Sequence, residues 1–144
     1  MLLYLDNCCF NRPFDDQNMI RIKLEAEAKL YIQEKIRQRQ LKLAWSYVLD
    51  FENNANPFEE RKKVISEWKN NSVVDSIETK EVIVAAMNFK KYGFKSKDAL
   101  HIACAVCSKC DYFVTTDDDI IKGRYKVTEV RIVDPVTFIR EVNI

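Results

Sequence analysis

Four carboxylates are placed where chemistry is plausible. Asp6 ends the apolar run Leu2 to Leu5 in the string YLDNCCF. Glu52 follows Ser46 by six residues in SYVLDFE, Asp98 opens KDALHIACA, and Asp117 closes VTTD. Carboxylates brought together repel one another, and each loses hydration on burial. A divalent cation removes that conflict. Mg²⁺ and Mn²⁺ prefer oxygen ligands and keep several waters, so three or four carboxylates can hold one or two ions. Such ions activate water and stabilise the oxyanions of a phosphodiester under in-line attack. That chemistry needs no histidine, and the chain has one, His101. Each acid also has a plain alternative role. Asp98 suits the first turn of a helix, Glu52 a solvated helix face, Asp117 the cap of DDDII, and Asp6 a polar strand end.

The elements that must position these acids read as follows. Leu2 to Leu5 is a buried strand, and residues 10–16 around Pro13 form a loop. A long amphipathic helix runs from Asp16 to Arg39, with Ile20, Leu24, Ala28, Tyr31 and Ile32 on one face. Leu41 to Trp45 is a second strand, after which Ser46 caps the helix carrying Glu52. Pro57 opens a helix reaching about Asn70, and Val73-Val74 is a third strand. A helix over 78–92 ends at Gly93. The next starts at Ser96 or Lys97 and runs to about Lys109. Tyr112 to Val114 is a strand, Asp117 to Ile121 a short helix, Val130 to Val133 the last strand, and Pro135 opens a final helix. Alternating strands and helices imply a mostly parallel sheet covered on both faces. Functional groups in such sheets gather at the carboxyl ends of the strands. Asp6 and Asp117 both follow strands closely, so strand tips can unite them.

The ordered strings YLDNCCF, SYVLDFE, KDALHIACA and VTTDDDI resemble the PIN domain, a family of metal-dependent nucleases that includes VapC-type toxins of prokaryotic toxin–antitoxin pairs. The resemblance spans almost the whole chain. It implies a single domain over residues 1–144, a three-layer α/β/α fold with a central five-stranded sheet, and Mg²⁺ or Mn²⁺ as cofactor. It implies an RNA substrate hydrolysed by metal-activated water to leave phosphate on the 5′ side, and a possible antitoxin partner. Position by position, Asp6, Glu52, Asp98 and Asp117 match the family's acids, with Thr115 as the hydroxyl of its T-x-D motif. Asn7 departs from the family's usual Thr or Ser, but it can still hydrogen-bond a carboxylate or a metal-bound water. Asp118 and Asp119 compete with Asp117, and strand-proximal spacing favours Asp117. Asp50 and Glu52 differ by about 200° around a helix, so both cannot face one site.

His101, Cys104, Cys107 and Cys110 recur every third residue, yet the set drifts about 180° around a straight helix. Four ligands cannot then converge on zinc. These cysteines read as packing, as do Cys8 and Cys9. His101 reads as a helix-surface residue or one supporting the site from behind. Basic residues cluster at 35–42, 61–63, 90–97 and 122–126. Most suit solvated helix faces. Arg12, Lys95 and Lys97 lie near the acids in sequence and could contact a nucleic-acid backbone. Tyr92, Phe94 and Tyr125, within the last two clusters, could stack on unpaired bases.

With 144 residues, ordinary composition and a net charge of +1, the chain fits one domain with its own core. Two glycines exclude a Gly-rich phosphate loop. MLLYL is too short for a signal-peptide core, and no apolar run approaches membrane-spanning length. Five cysteines without secretory signals point to reduced thiols in the cytoplasm. A homodimer is expected, with the 16–39 helix as one candidate surface. A PIN-like module that binds nucleic acid or a partner without turnover is the alternative to the ribonuclease.

Overall fold

A computed structural model describes residues 1–143. Five strands form the core: β1 (Leu2–Leu5), β2 (Lys42–Ser46), β3 (Ser72–Ser76), β4 (Tyr112–Val114) and β5 (Arg131–Val133). They pair in the order β3-β2-β1-β4-β5, every pair parallel. The expectation of a mostly parallel sheet is therefore met in full. Leu3, Tyr4 and Leu5 are all completely buried, so successive side chains meet helices on both faces.

Among the described residues, eight α-helices connect and cover the sheet: α1 (Asn7–Asn11), α2 (Ile20–Arg37), α3 (Tyr47–Asn54), α4 (Glu59–Glu67), α5 (Lys80–Lys91), α6 (Ser96–Cys107), α7 (Asp118–Gly123) and α8 (Pro135–Val142). The strand order places β1 centrally. The chain moves outward from β1 through β2 to β3, then returns across the sheet to β4 and β5. The order therefore reverses between β1 and β4, where open α/β sheets bind ligands.

Two expectations need correction. The segment read as a loop over 10–16 contains the end of α1 (Phe10 and Asn11) and a turn of 3-10 helix (Arg12–Phe14). The carboxylate of Asp6 starts α1 by accepting the Asn7 N–H at 2.8 Å, so the strand turns at once into a helix. The second correction concerns α2. It begins at Ile20 rather than Asp16, and its apolar stripe does not all face the core. Ile20 is 78% exposed, and Leu24 and Tyr31 are also exposed. The buried face includes Glu25, Ala28, Lys29, Ile32, Gln33 and Ile36. Glu25 is buried beside the guanidinium groups of Arg12 (3.3 Å) and Arg21 (3.4 Å), which offset only part of the cost, because burial still raises its pKa. Lys29 lies over the ring of Phe10, 5.4 Å from its centroid, and burial pushes its pKa down to about 7.

Candidate active site at the sheet switch point

The site begins with the ladder itself. Leu5 is in register with Val114, and the Asp6 N–H donates to the Val114 carbonyl at 2.9 Å. Asp6 and Thr115 thus leave adjacent strands side by side. Thr115 Oγ1 donates to Asp6 Oδ2 at 2.8 Å and accepts the Asp117 N–H at 3.0 Å. One hydroxyl therefore orients two of the expected acids. Asp6 is 5% exposed.

Asp117 caps α7 with one carboxylate oxygen, which accepts the N–H groups of Asp119 (2.8 Å) and Ile120 (3.2 Å). The two competing acids are engaged elsewhere. Asp118 forms a two-pronged pair with Arg21, and Asp119 lies 3.6 Å from Lys95. Asp50 is likewise turned away, bonded to Trp45 Nε1 at 2.9 Å and Lys69 Nζ at 3.1 Å.

Asp98 stands in the first turn of α6, where free N–H groups and the helix dipole favour a carboxylate. Its pKa is nevertheless pushed up to about 6, first by burial and then by the negative charges of Asp117 and Asp6. Here the like charges and lost hydration outweigh the helix terminus. The structure thus brings Asp6, Asp98 and Asp117 within electrostatic reach of one another.

Glu52 has different surroundings. Ser46 Oγ caps α3 by accepting the Leu49 N–H at 3.1 Å, which fixes the helix that carries Glu52. Its Oε1 is hydrogen-bonded to His101 Nε2, and Asn7 Nδ2 donates to Oε2 at 3.1 Å. Burial alone would raise the Glu52 pKa; the His101 bond and charge, with help from Lys97 and Asn7, hold it below its ordinary value. For His101, burial alone would lower the pKa. Glu52, Asp6 and Asp98 reverse that and raise it. The ring is 1% exposed, and Nε2 also lies 3.8 Å from Asp6 Oδ1.

His101 is therefore a member of the site, a role that the sequence reading left open. Its other nitrogen, Nδ1, hydrogen-bonds the Tyr4 hydroxyl at 2.6 Å, and that hydroxyl meets Ser46 Oγ at 2.6 Å. Ser46, Tyr4 and His101 form one buried chain whose two ends both touch α3. Tyr4 was missed as a site residue. The signal was available: a tyrosine in a buried strand needs a partner for its hydroxyl.

Cys8 also belongs nearer the site than a packing role suggests. Its thiol donates to Asp6 Oδ2 at 3.4 Å, lies 3.4 Å from Thr115 Oγ1, and accepts the Thr116 N–H at 3.3 Å. Cys9 is buried with its thiol on the Val114 carbonyl. Cys104 and Cys110 are buried and Cys107 half-buried, all as free thiols. Arg12 does not serve as an open phosphate contact, because Asp15 (3.2 Å) and Glu25 occupy its guanidinium. Lys95 and Lys97 remain close enough to the acids to lower the pKa values of Asp98 and Glu52 respectively.

The donor set suits a hard divalent cation. Carboxylate oxygens dominate it, Asp98 is destabilised by its neighbours, and Asn7 Oδ1 is buried without a hydrogen-bond partner. Among the described residues, no three His, Cys, Asp or Glu side chains are grouped closely enough to hold a metal ion as they stand. Mg²⁺ retains several waters and is usually held by one or two carboxylates, so an open set is compatible with it.

No protein-family model matches this chain, and no curated protein matches it in sequence. Solved structures do match its shape. A chain of VapBC-1 from nontypeable Haemophilus influenzae superposes with TM-score 0.61 at 15% identity, covering 94% of this chain and 99% of that one. A chain of VapBC2 from Rickettsia felis, solved with a DNA fragment from its promoter, gives TM-score 0.57 at 10% identity, covering 93% and 98%. The chain shares the fold of these VapBC chains, in keeping with the PIN-like fold expected from the sequence. The three-layer α/β/α architecture expected from the sequence is the one observed. No helix among the described residues is long and apolar enough to cross a membrane.

Proposed function

We propose that this chain is a divalent-metal-dependent endoribonuclease acting as the toxin of a toxin–antitoxin pair. The observation that carries this reading is the electrostatic coupling of Asp6, Asp98 and Asp117 at the switch point, where burial and the other two charges raise the Asp98 pKa. Repulsion of that kind costs stability unless a cation or a proton relieves it. Asp6, Asp98 and Asp117 would hold Mg²⁺ or Mn²⁺, with Glu52 completing the acidic wall. When bound, such an ion neutralises charge on a phosphate and makes a water more acidic. Thr115 keeps Asp6 and Asp117 oriented, His101 and Asn7 hold Glu52, and Lys95 and Lys97 attract the RNA backbone.

The structural neighbours support a partner protein, since both come from VapBC systems. Ile20, Leu24 and Tyr31 on the open face of α2 offer such a partner an apolar surface, and an antitoxin or a second copy of this chain would fit it.

RNA cleavage tests the reading. With Mn²⁺ or Mg²⁺, the wild type cuts RNA and EDTA stops it, while Asp6→Asn and Asp98→Asn each slow cleavage by at least about a hundredfold, about 2.7 kcal/mol of barrier. Equal cleavage by wild type and both variants sinks the assignment through these acids. One observation favours the rival, a binding module without turnover: Glu52 is already committed to His101 and Asn7. RNA binding by a wild type that cuts nothing under any metal would select that rival.

A further inference from the structure

The two basic, aromatic segments at 90–97 and 122–126 fold against each other beside Asp98. They line a groove of about 370 Å³ that includes Asp98 on one wall. The joint between them is tight. Gly123 lies against the Phe94 ring, and a Cβ there would stand 2.9 Å from it. Lys126 Nζ donates to the Tyr92 carbonyl at 2.9 Å, tying the turn after α7 to the end of α5. Gly93, at φ +104°, makes the reversal between α5 and α6 that permits this contact.

The groove carries two exposed tyrosines and three ammonium groups. Tyr125 is 75% exposed, with Lys126 Nζ 5.8 Å from its ring centroid, and Tyr92 is 49% exposed with its ring packed edge-on against Phe89. Lys95, Lys122 and Lys126 line the same surface, against Asp119 as the one acid beyond Asp98. Exposed aromatic rings interleaved with cations suit unpaired nucleotides: bases stack on the rings and phosphates meet the ammonium groups. A duplex, whose bases are already stacked, gains only the phosphate term.

The geometry points to a single-strand-selective RNA subsite in which an unpaired base stacks on Tyr125 while the strand runs past Lys122 and Lys126 toward Asp98. This inference rests on the ribonuclease reading for its substrate, but its test does not depend on cleavage. A fluorescein-labelled ten-nucleotide single-stranded RNA is titrated by anisotropy with calcium in place of magnesium, and a gel confirms that the probe stays intact. The same titration is run with the RNA as a duplex. Tyr125→Ala weakens single-strand binding about tenfold, Tyr125→Phe stays within about twofold of wild type, and duplex binding is unchanged. Because the ring is mostly outside the core, the melting temperature reports that the variant is folded. Wild-type affinity in Tyr125→Ala overturns the subsite, as does an equal loss for duplex and single strand. Failure of the wild type to bind single-stranded RNA also overturns it and leaves a protein partner as the groove's occupant. If Asp98→Asn cleaves like wild type while the Tyr125 effect holds, the nuclease reading fails and the subsite stands.

Discussion

Two halves of one acidic site are treated in opposite ways. On the β2 side, Glu52 is matched by an imidazole and an amide, and its pKa is lowered. On the β4 side, Asp98 faces Asp117 and Asp6, and its pKa rises to about 6. The first half is internally neutralised. The second carries negative charge that His101 and Lys95 offset only in part, and under the proposed reading it is where an added cation gains most. Clustered acids therefore do not make a uniform metal cage; the counter-charges already in place decide where an ion is wanted.

The largest effect is expected from breaking the neutralised half. His101→Ala removes the partner of Glu52, leaves the Tyr4 hydroxyl with Ser46 alone and opens a cavity. It should cost about 3 kcal/mol in urea unfolding. A cost below about 1 kcal/mol would show that the buried chain contributes little. This pair also has a pH signature. The Glu52 contribution is present above its ordinary pKa of 4.5 and fades as acid protonates it below that value. The His101 contribution is full below 6.5 and fades as pH rises through its higher folded value. Stability from the pair is therefore greatest between these limits.

Thr115→Val acts on the other half. It strips Asp6 of one donor and the Asp117 N–H of its acceptor, for about 2 kcal/mol. A smaller effect of opposite sign sharpens the contrast. Asp98→Asn should stabilise the metal-free protein at pH 7, because it deletes a repelled charge. Partial exposure screens that repulsion, so the gain is about 1 kcal/mol, or about 3 °C in melting temperature. Asp98 binds protons more tightly folded than unfolded, so its contribution to metal-free stability falls as pH rises from 3.8 to about 6. The variant should lose that slope. A destabilised Asp98→Asn at pH 7 would mean that its helix-terminal role dominates.

Much of this arrangement was legible in the sequence because parallel α/β topology turns strand ends into a site. Asp6, Thr115 and Asp117 could be placed from the ends of β1 and β4, and Ser46 from its cap position. What escaped depended on side-chain direction. His101 follows Asp98 by one helical turn, but only the packing of α6 on β1 shows that its ring reaches both Tyr4 and Glu52. The α1 turn hid behind Pro13, although Asp6 was itself a good cap. On α2, the 3.6-residue pattern located the helix but not its buried side, because that side also carries the polar Glu25, Lys29 and Gln33.

The contrast between the two halves reduces to where Mn²⁺ binds. Calorimetric titration at pH 7 should give binding to wild type, loss of at least about tenfold in affinity for Asp98→Asn and Asp117→Asn, and a smaller loss for Glu52→Gln. Unchanged affinity in Asp98→Asn, or a loss confined to Glu52→Gln, would contradict the account.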